Sequence, residues 1–295
     1  MIVGAIDIGS NSMRLLIVDG NLDVRVNQRS ITQLGAGVDA TGRFNAAAMA
    51  KTLAVMDEFG ELLRAHDVDV LAAVATSATR DASNGAEFVA EVARRIGMAP
   101  EVISGTREAA LSFAGATRGR TDGPYLVVDI GGGSTEFIRG DGSIESGVSI
   151  DVGCVRIAER YGLADVASAQ KLDVARSMVA AALVDVPTAE GATVVGVAGT
   201  FNALATYIHQ RDPYHRESFG ESSVTLTGII HATDELAPLT ANQRGLLPQV
   251  HVDRASTIVA GSVIAACALQ SVGVDSAVVS PTGLVHGLAA ELLGI

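Results

Sequence analysis

Short apolar runs, each ended by a polar turn, alternate along the chain with longer stretches whose apolar residues recur every three or four positions. Residues 2–6, 68–75, 125–128, 193–197 and 277–279 have the length and continuity of strands buried on both faces. The stretch 44–65 sets Met49, Leu53, Met56, Phe59 and Leu63 at helical spacing and predicts one long helix. Asn84 and Gly97 read as the N-cap and the C-terminal stop of a second helix. A strand at 101–103 leads into a third helix opened by Ser104-Gly105-Thr106-Arg107-Glu108, and further helices are expected at 155–161, 169–183, 254–272 and 283–293. Strands alternating with helices predict α/β lobes around buried sheets; the pattern leaves strand order open.

Two of the strand ends resemble one another. Asp7-Ile8-Gly9-Ser10-Asn11-Ser12 and Asp129-Ile130-Gly131-Gly132-Gly133-Ser134-Thr135 each follow an apolar run and precede another, and 129 − 7 places them 122 positions apart. Glycines let a turn bring its backbone N–H groups close to phosphate oxygens, and the hydroxyls and Asn11 add side-chain donors. Asp7 and Asp129 are hard oxygen ligands of the kind Mg²⁺ prefers, directly or through its waters. The bland alternative is an Asp that satisfies turn amides beside a tightly turning Gly. Two copies favour a phosphate site served by two related lobes. Ala198-Gly199-Thr200, after the strand at 193–197, reads as a third Gly/Thr loop, and 76–81 as a polar turn.

Composition narrows the function. The chain has 295 residues and 48% hydrophobic content, enough for two cores. A break is expected at the turn-rich Arg118-Gly119-Arg120-Thr121-Asp122-Gly123-Pro124. There is no membrane-length apolar stretch and no basic flank before the first apolar run, so a cytoplasmic protein without membrane association is expected. A net charge of −12 argues against general nucleic-acid binding. Cys154 and Cys267 suit small core residues, and six scattered His, among them His215, form no His-x-x-x-His pair that would suggest zinc. Only two of the 21 cations are lysines; arginine suits bidentate phosphate contacts, although genome composition produces the same bias.

Together, Ala5 to Leu15 around the first loop, Ala75-Thr76-Ser77-Ala78-Thr79-Arg80-Asp81-Ala82, Ile103-Ser104-Gly105-Thr106-Arg107-Glu108-Ala109 and Asp129 to Glu136 resemble the exopolyphosphatase/guanosine pentaphosphate phosphohydrolase (Ppx/GppA) family. The resemblance implies two actin-like ATPase (ribonuclease H-like) domains flanking a central cleft, residues 1–121 and 122–282, with a C-terminal helix at 283–295 packing back on the first. It implies Glu108 as the base that activates water, Arg80 as a catalytic residue that contacts phosphate, and Asp129 and Glu136 as Mg²⁺ ligands (or Mn²⁺) that place that water, with Asp7 assisting the metal. Phosphate contacts would come from Gly9, Ser10, Asn11, Ser12, Arg14, Gly131, Gly132, Gly133, Ser134 and Thr135, and the third loop adds Gly199 and Thr200. The implied substrate is inorganic polyphosphate, in short chains because the helical domains of larger relatives do not follow, or guanosine pentaphosphate. A homodimer is also implied.

Each role has a plainer counterpart. Glu108 would favour a helix N-terminus in any case, Arg80 could pair with Asp81 or a surface acid, and Glu136 could face solvent. The family pattern carries Arg-Glu where this chain has Val285-His286, so no role transfers to that position. A sugar-kinase reading lacks an acceptor site, and a pure sensor would gain nothing from a water-activating carboxylate beside a polyanion.

Overall fold

Every run expected to be a strand is one in the computed structural model, which describes residues 1–214 and 222–295; His215 lies outside the described residues. The chain divides into two units, Met1–Gly115 with Gly283–Ile295, and Ala116–Thr282. The division falls inside a helix, a few residues before the turn-rich segment at 118–124.

In the first unit, β1 (Ile2–Ile8), β2 (Ser12–Asp19) and β3 (Val24–Ile31) form an antiparallel meander. β4 (Val70–Ala75) lies parallel to β1, and β5 (Glu101–Val102) parallel to β4, giving the order β3-β2-β1-β4-β5. The helices are α1 (Val38–Thr41), α2 (Ala46–Ala65), α3 (Ser77–Asp81), α4 (Gly85–Ile96) and α5 (Gly105–Thr117). Strand alternation divides the sheet into two apolar faces. Ile6, Ile8, Met13, Leu15 and Ile17 pack with Met56 and Phe59 of α2 and Phe88 and Val92 of α4. Val3, Ala5, Leu16 and Val18 point the other way, toward Leu111 of α5 and Leu284, Val285, Leu288 and Ala289 of the C-terminal helix. By the same alternation Asp7 and Arg14, directly opposed across β1 and β2, belong to that second face.

The second unit repeats the plan. β6 (Tyr125–Ile130), β7 (Thr135–Asp141) and β8 (Ser143–Ile150) form the meander, β9 (Thr193–Val197) runs parallel to β6, and β11 (Ser276–Val279) parallel to β9, with β10 (Ser222–Thr225) antiparallel at the edge. Its helices are α6 (Cys154–Arg160), α7 (Ala169–Ala182), α8 (Ala198–Ile208), α9 (Leu226–Leu236), α10 (Ala241–Gly245) and α11 (Ile258–Val272); Leu284–Leu293 is α12. α11 is apolar all round and packs among α6, α7, α8 and α9, as a central core helix must. The order β8-β7-β6-β9-β11 reproduces β3-β2-β1-β4-β5. A meander with parallel strands added beside its first strand, twice in one chain, is the ribonuclease H-like plan of the actin-like ATPases. Among the described residues no helix is long and apolar enough to cross a membrane.

Several local expectations differ from the structure. Residues 76–81 are not an open turn: Ser77–Asp81 is a helical turn whose N–H of Ala78 donates to Ser10 Oγ at 3.2 Å. Asn84 precedes α4 without capping it, because its amide bridges Phe44, accepting from that N–H at 2.8 Å and donating to that carbonyl at 3.3 Å. After residues 125–128 the chain continues through two further strands to Ile150, and the helix expected from 254 begins at Ile258 after a 3-10 turn, Val252–Arg254. Ala198-Gly199-Thr200 is no loop. Ala198 takes φ of 64° and the chain enters α8 at once.

α5 and α12 touch backbone to backbone. A Cβ on Gly287 would fall well inside contact distance of the Leu111 carbonyl, and one on Gly115 inside that of the Gly283 carbonyl. Arg107 of α5 also pairs with Glu291 of α12. Neither backbone can yield to a methyl group without parting the helices, so Gly287→Ala is expected to cost about 1–3 kcal/mol or more. A lowered urea midpoint is the predicted result, and an unchanged midpoint would contradict the close crossing.

Candidate active site

The two glycine loops share one geometry. Gly9 N–H donates to the Ser12 carbonyl at 3.0 Å, and Gly131 N–H donates to the Ser134 carbonyl at the same distance, each two residues after the strand-end Asp. Each hairpin therefore reverses tightly while keeping its Asp at the mouth. In the second loop, Cys154 N–H donates to the Gly131 carbonyl at 3.0 Å and Val155 N–H to the Gly132 carbonyl at 2.9 Å, while Arg156 Nε donates to the Gly133 carbonyl at 3.0 Å. With three carbonyls held by the start of α6, the loop is fixed through its acceptors, a common arrangement for a backbone that offers N–H groups to an anion. Gly153 must lack a side chain there, since a Cβ would collide with Gly132 and Gly133.

The side chains divide by what they already do. The amide of Asn11 and the hydroxyl of Ser134 are buried and make no hydrogen bond. Orphaned buried polar groups cost about 1–3 kcal/mol each, so they fit a loop that takes an anion. Ser10 and Thr135 are committed to the protein: Ser10 Oγ shares a 2.9 Å hydrogen bond with Ser77 Oγ, and Thr135 Oγ1 donates to the Val152 carbonyl at 2.5 Å. Thr200 Oγ1 donates to the Ile130 carbonyl at 3.1 Å. The space a Cβ would fill at Gly199 is taken by the guanidinium of Arg254, a buried residue that the sequence reading missed and whose pKa burial pushes down. Gly199 thus makes room for Arg254, and Thr200 braces the strand end that leads into the second loop.

Of the acids, Glu108 sits in the first turn of α5, which Ser104 caps by accepting from Arg107 N–H at 3.2 Å. It is 8% exposed, too buried to be explained by the helix end alone. Arg80 pairs with it rather than with a surface acid: Nη1 lies 3.1 Å from Glu108 Oε2 and donates to the Ile103 carbonyl at 2.6 Å. Leu111, one turn after Glu108, faces the same side of the first sheet as Asp7 and Arg14.

In the second unit Asp129 and Glu136 are directly opposed on β6 and β7, and Ser149 opposes Glu136 on β8. Glu136 does not face solvent. It is 1% exposed and accepts from Ser149 Oγ at 2.6 Å. Two like charges at opposed positions destabilise a sheet, and a divalent cation removes that cost. Among the described residues no group of three or more His, Cys, Asp or Glu gathers as a metal cluster. Two carboxylates suit Mg²⁺, which keeps several waters and takes substrate oxygens for the rest.

The pattern of the Ppx/GppA phosphatase family matches residues 16–294. The chain belongs to that family. It is 36% identical to Exopolyphosphatase 2 of Mycobacterium tuberculosis, over 99% of this chain and 98% of the relative. Among solved structures, an exopolyphosphatase from Cytophaga hutchinsonii aligns with a TM-score of 0.89 at 27% identity, covering 100% of this chain and 98% of the other. The PPX-GPPA enzyme of Aquifex aeolicus aligns with a TM-score of 0.80 at 31% identity, covering 100% and 99%.

Within this family site, the Arg80–Glu108 contact has a kinetic consequence. Arg80→Ala is expected to lower kcat as well as raise the KM for polyphosphate, because Glu108 loses the partner that fixes its rotamer. Steady-state kinetics on the folded variant decide this; a changed KM with unaltered kcat would show that Arg80 grips substrate without orienting Glu108.

Proposed function

We propose that the protein is a Mg²⁺-dependent exopolyphosphatase that removes terminal orthophosphate from inorganic polyphosphate, favouring short chains, in the cytoplasm. The observation that supports this most is Glu108, a buried carboxylate held in one orientation by Arg80. Glu108 accepts a proton from water as the water oxygen attacks the terminal phosphorus. The phosphoanhydride P–O bond breaks, orthophosphate leaves, and the shortened chain carries away the bridging oxygen. Such a transfer asks little of a protein beyond positioning and charge neutralisation. Within each unit the glycine loop offers N–H groups and an orphaned polar group, Asn11 in the first and Ser134 in the second, of the kind that binds phosphate oxygens. Asp129 and Glu136 would hold the metal, with Asp7 assisting. When bound, Mg²⁺ supplies neutralisation of the phosphate charge. The names of the two relatives, both exopolyphosphatases, support the same substrate class.

Glu108→Gln separates the base from a merely structural acid. Gln keeps the shape and can hydrogen-bond water but cannot take its proton, and general-base help is typically worth about 10²–10⁴ in rate. Single-turnover phosphate release is expected to fall by that factor while polyphosphate affinity holds or improves, since a negative charge beside a polyanion is gone. Near-normal turnover would remove Glu108 from proton transfer. Running polyphosphate and guanosine pentaphosphate side by side with the wild type tests the substrate: release from the second alone would replace this reading with the alarmone one.

A further inference from the structure

His286 occupies the position at which the chain leaves the family pattern, in the first turn of α12. Its Nδ1 accepts the Gly283 backbone N–H at 3.3 Å. A neutral imidazole with Nδ1 as acceptor carries its proton on Nε2. Among the described residues Nε2 has no hydrogen-bond partner, and the side chain is only half-buried. Burial, and then the charge of Arg14 on the strand that α12 packs against, push the imidazole pKa down to about 3, so the ring stays neutral. Arg14 and Asp7 lie on the sheet face that α12 covers, at the end of the hairpin whose Asn11 amide is buried without a partner. A neutral donor directed away from its own helix cap, on the helix that covers a cation's face of the sheet, is suited to a shared anion: the imidazole adds a hydrogen bond without repelling Arg14.

We propose that His286 is a substrate-binding residue, whose Nε2–H joins Arg14 in holding a phosphate oxygen of the polyphosphate chain. The inference rests on the phosphoanhydride reading of the site above. A carboxylate at 286 would do the opposite, pairing with Arg14 and opposing the polyanion.

The two ring nitrogens separate this role from simple capping, because Asn places a polar atom where Nδ1 lies and Gln where Nε2 lies. Steady-state kinetics with short-chain polyphosphate and thermal midpoints are measured for wild type, His286→Asn, His286→Gln and His286→Glu. His286→Asn is expected to raise KM about 10-fold, the value of a lost hydrogen bond to a charged group, with a midpoint near wild type. His286→Gln is expected to raise KM less than Asn does while lowering the midpoint more, and His286→Glu to raise KM most. A KM preserved in Asn and raised in Gln would make His286 a helix cap and overturn the proposal, as would one KM across the series with an active wild type. A wild type that releases no phosphate from polyphosphate would overturn the underlying reading as well.

Discussion

Two carboxylates, Asp129 and Glu136, face each other across neighbouring antiparallel strands, both nearly excluded from solvent. Burying like charges at opposed positions works against the sheet that holds them, whatever else each touches. Much around them moderates that cost. Ser149 donates to Glu136 from the next strand, and the start of α6 grips the loop between the two acids by its carbonyls. The first unit meets the same geometry differently. Adding 122 to Asp7 and to Arg14 gives 129 and 136, so the position that carries Glu in one unit carries Arg in the other. The first unit has an acid opposed to a base, and the second has an acid opposed to an acid. In our reading, one duplicated hairpin thus offers a cation to phosphate in one copy and a pair of ligands to a metal in the other.

The remaining architecture of the first unit serves the placement of Glu108. α5 has no freedom to slide, because Gly115 and Gly287 bring it into backbone contact with α12 and Arg107 pairs with Glu291. α12 itself covers β1 and β2, the strands that carry Asp7 and Arg14. A residue on a rigid helix pinned at several points keeps its carboxylate in place without help from substrate, and Arg80 removes most of the remaining rotamer freedom.

Much of this was legible in the sequence where a local pattern had one physical meaning. A strand-end Asp followed by Gly and hydroxyls, twice at a fixed spacing, led to both loops and to the repeated fold. The misreadings came where a residue had two uses. Asn84 is a good cap by type, but bridging Phe44 satisfies both ends of its amide. Ala198-Gly199-Thr200 looked like an open loop, while the chain enters α8 there and the missing Cβ of Gly199 makes room for Arg254, which is distant in sequence. The Arg80–Glu108 pair spans 28 residues and depends on tertiary contact, so Arg80 was nominated without its partner. Arg244 gave no sequence signal at all. It is wholly buried, and its guanidinium donates to the carbonyls of Leu236, Ala164, Asp165 and Ala255. Polar edge strands such as β3 and β10 lack the apolar run that marks the inner ones.

The central claim is that the opposed carboxylates work through a divalent cation. Its most direct test is phosphate release from short-chain polyphosphate by metal-stripped protein, titrated with Mg²⁺, for the wild type and Asp129→Asn. The account predicts no release without metal, recovery as Mg²⁺ is added, and a higher Mg²⁺ requirement with lower maximal rate in the variant. Undiminished release in the presence of a chelator, or identical titrations for the two proteins, would contradict it.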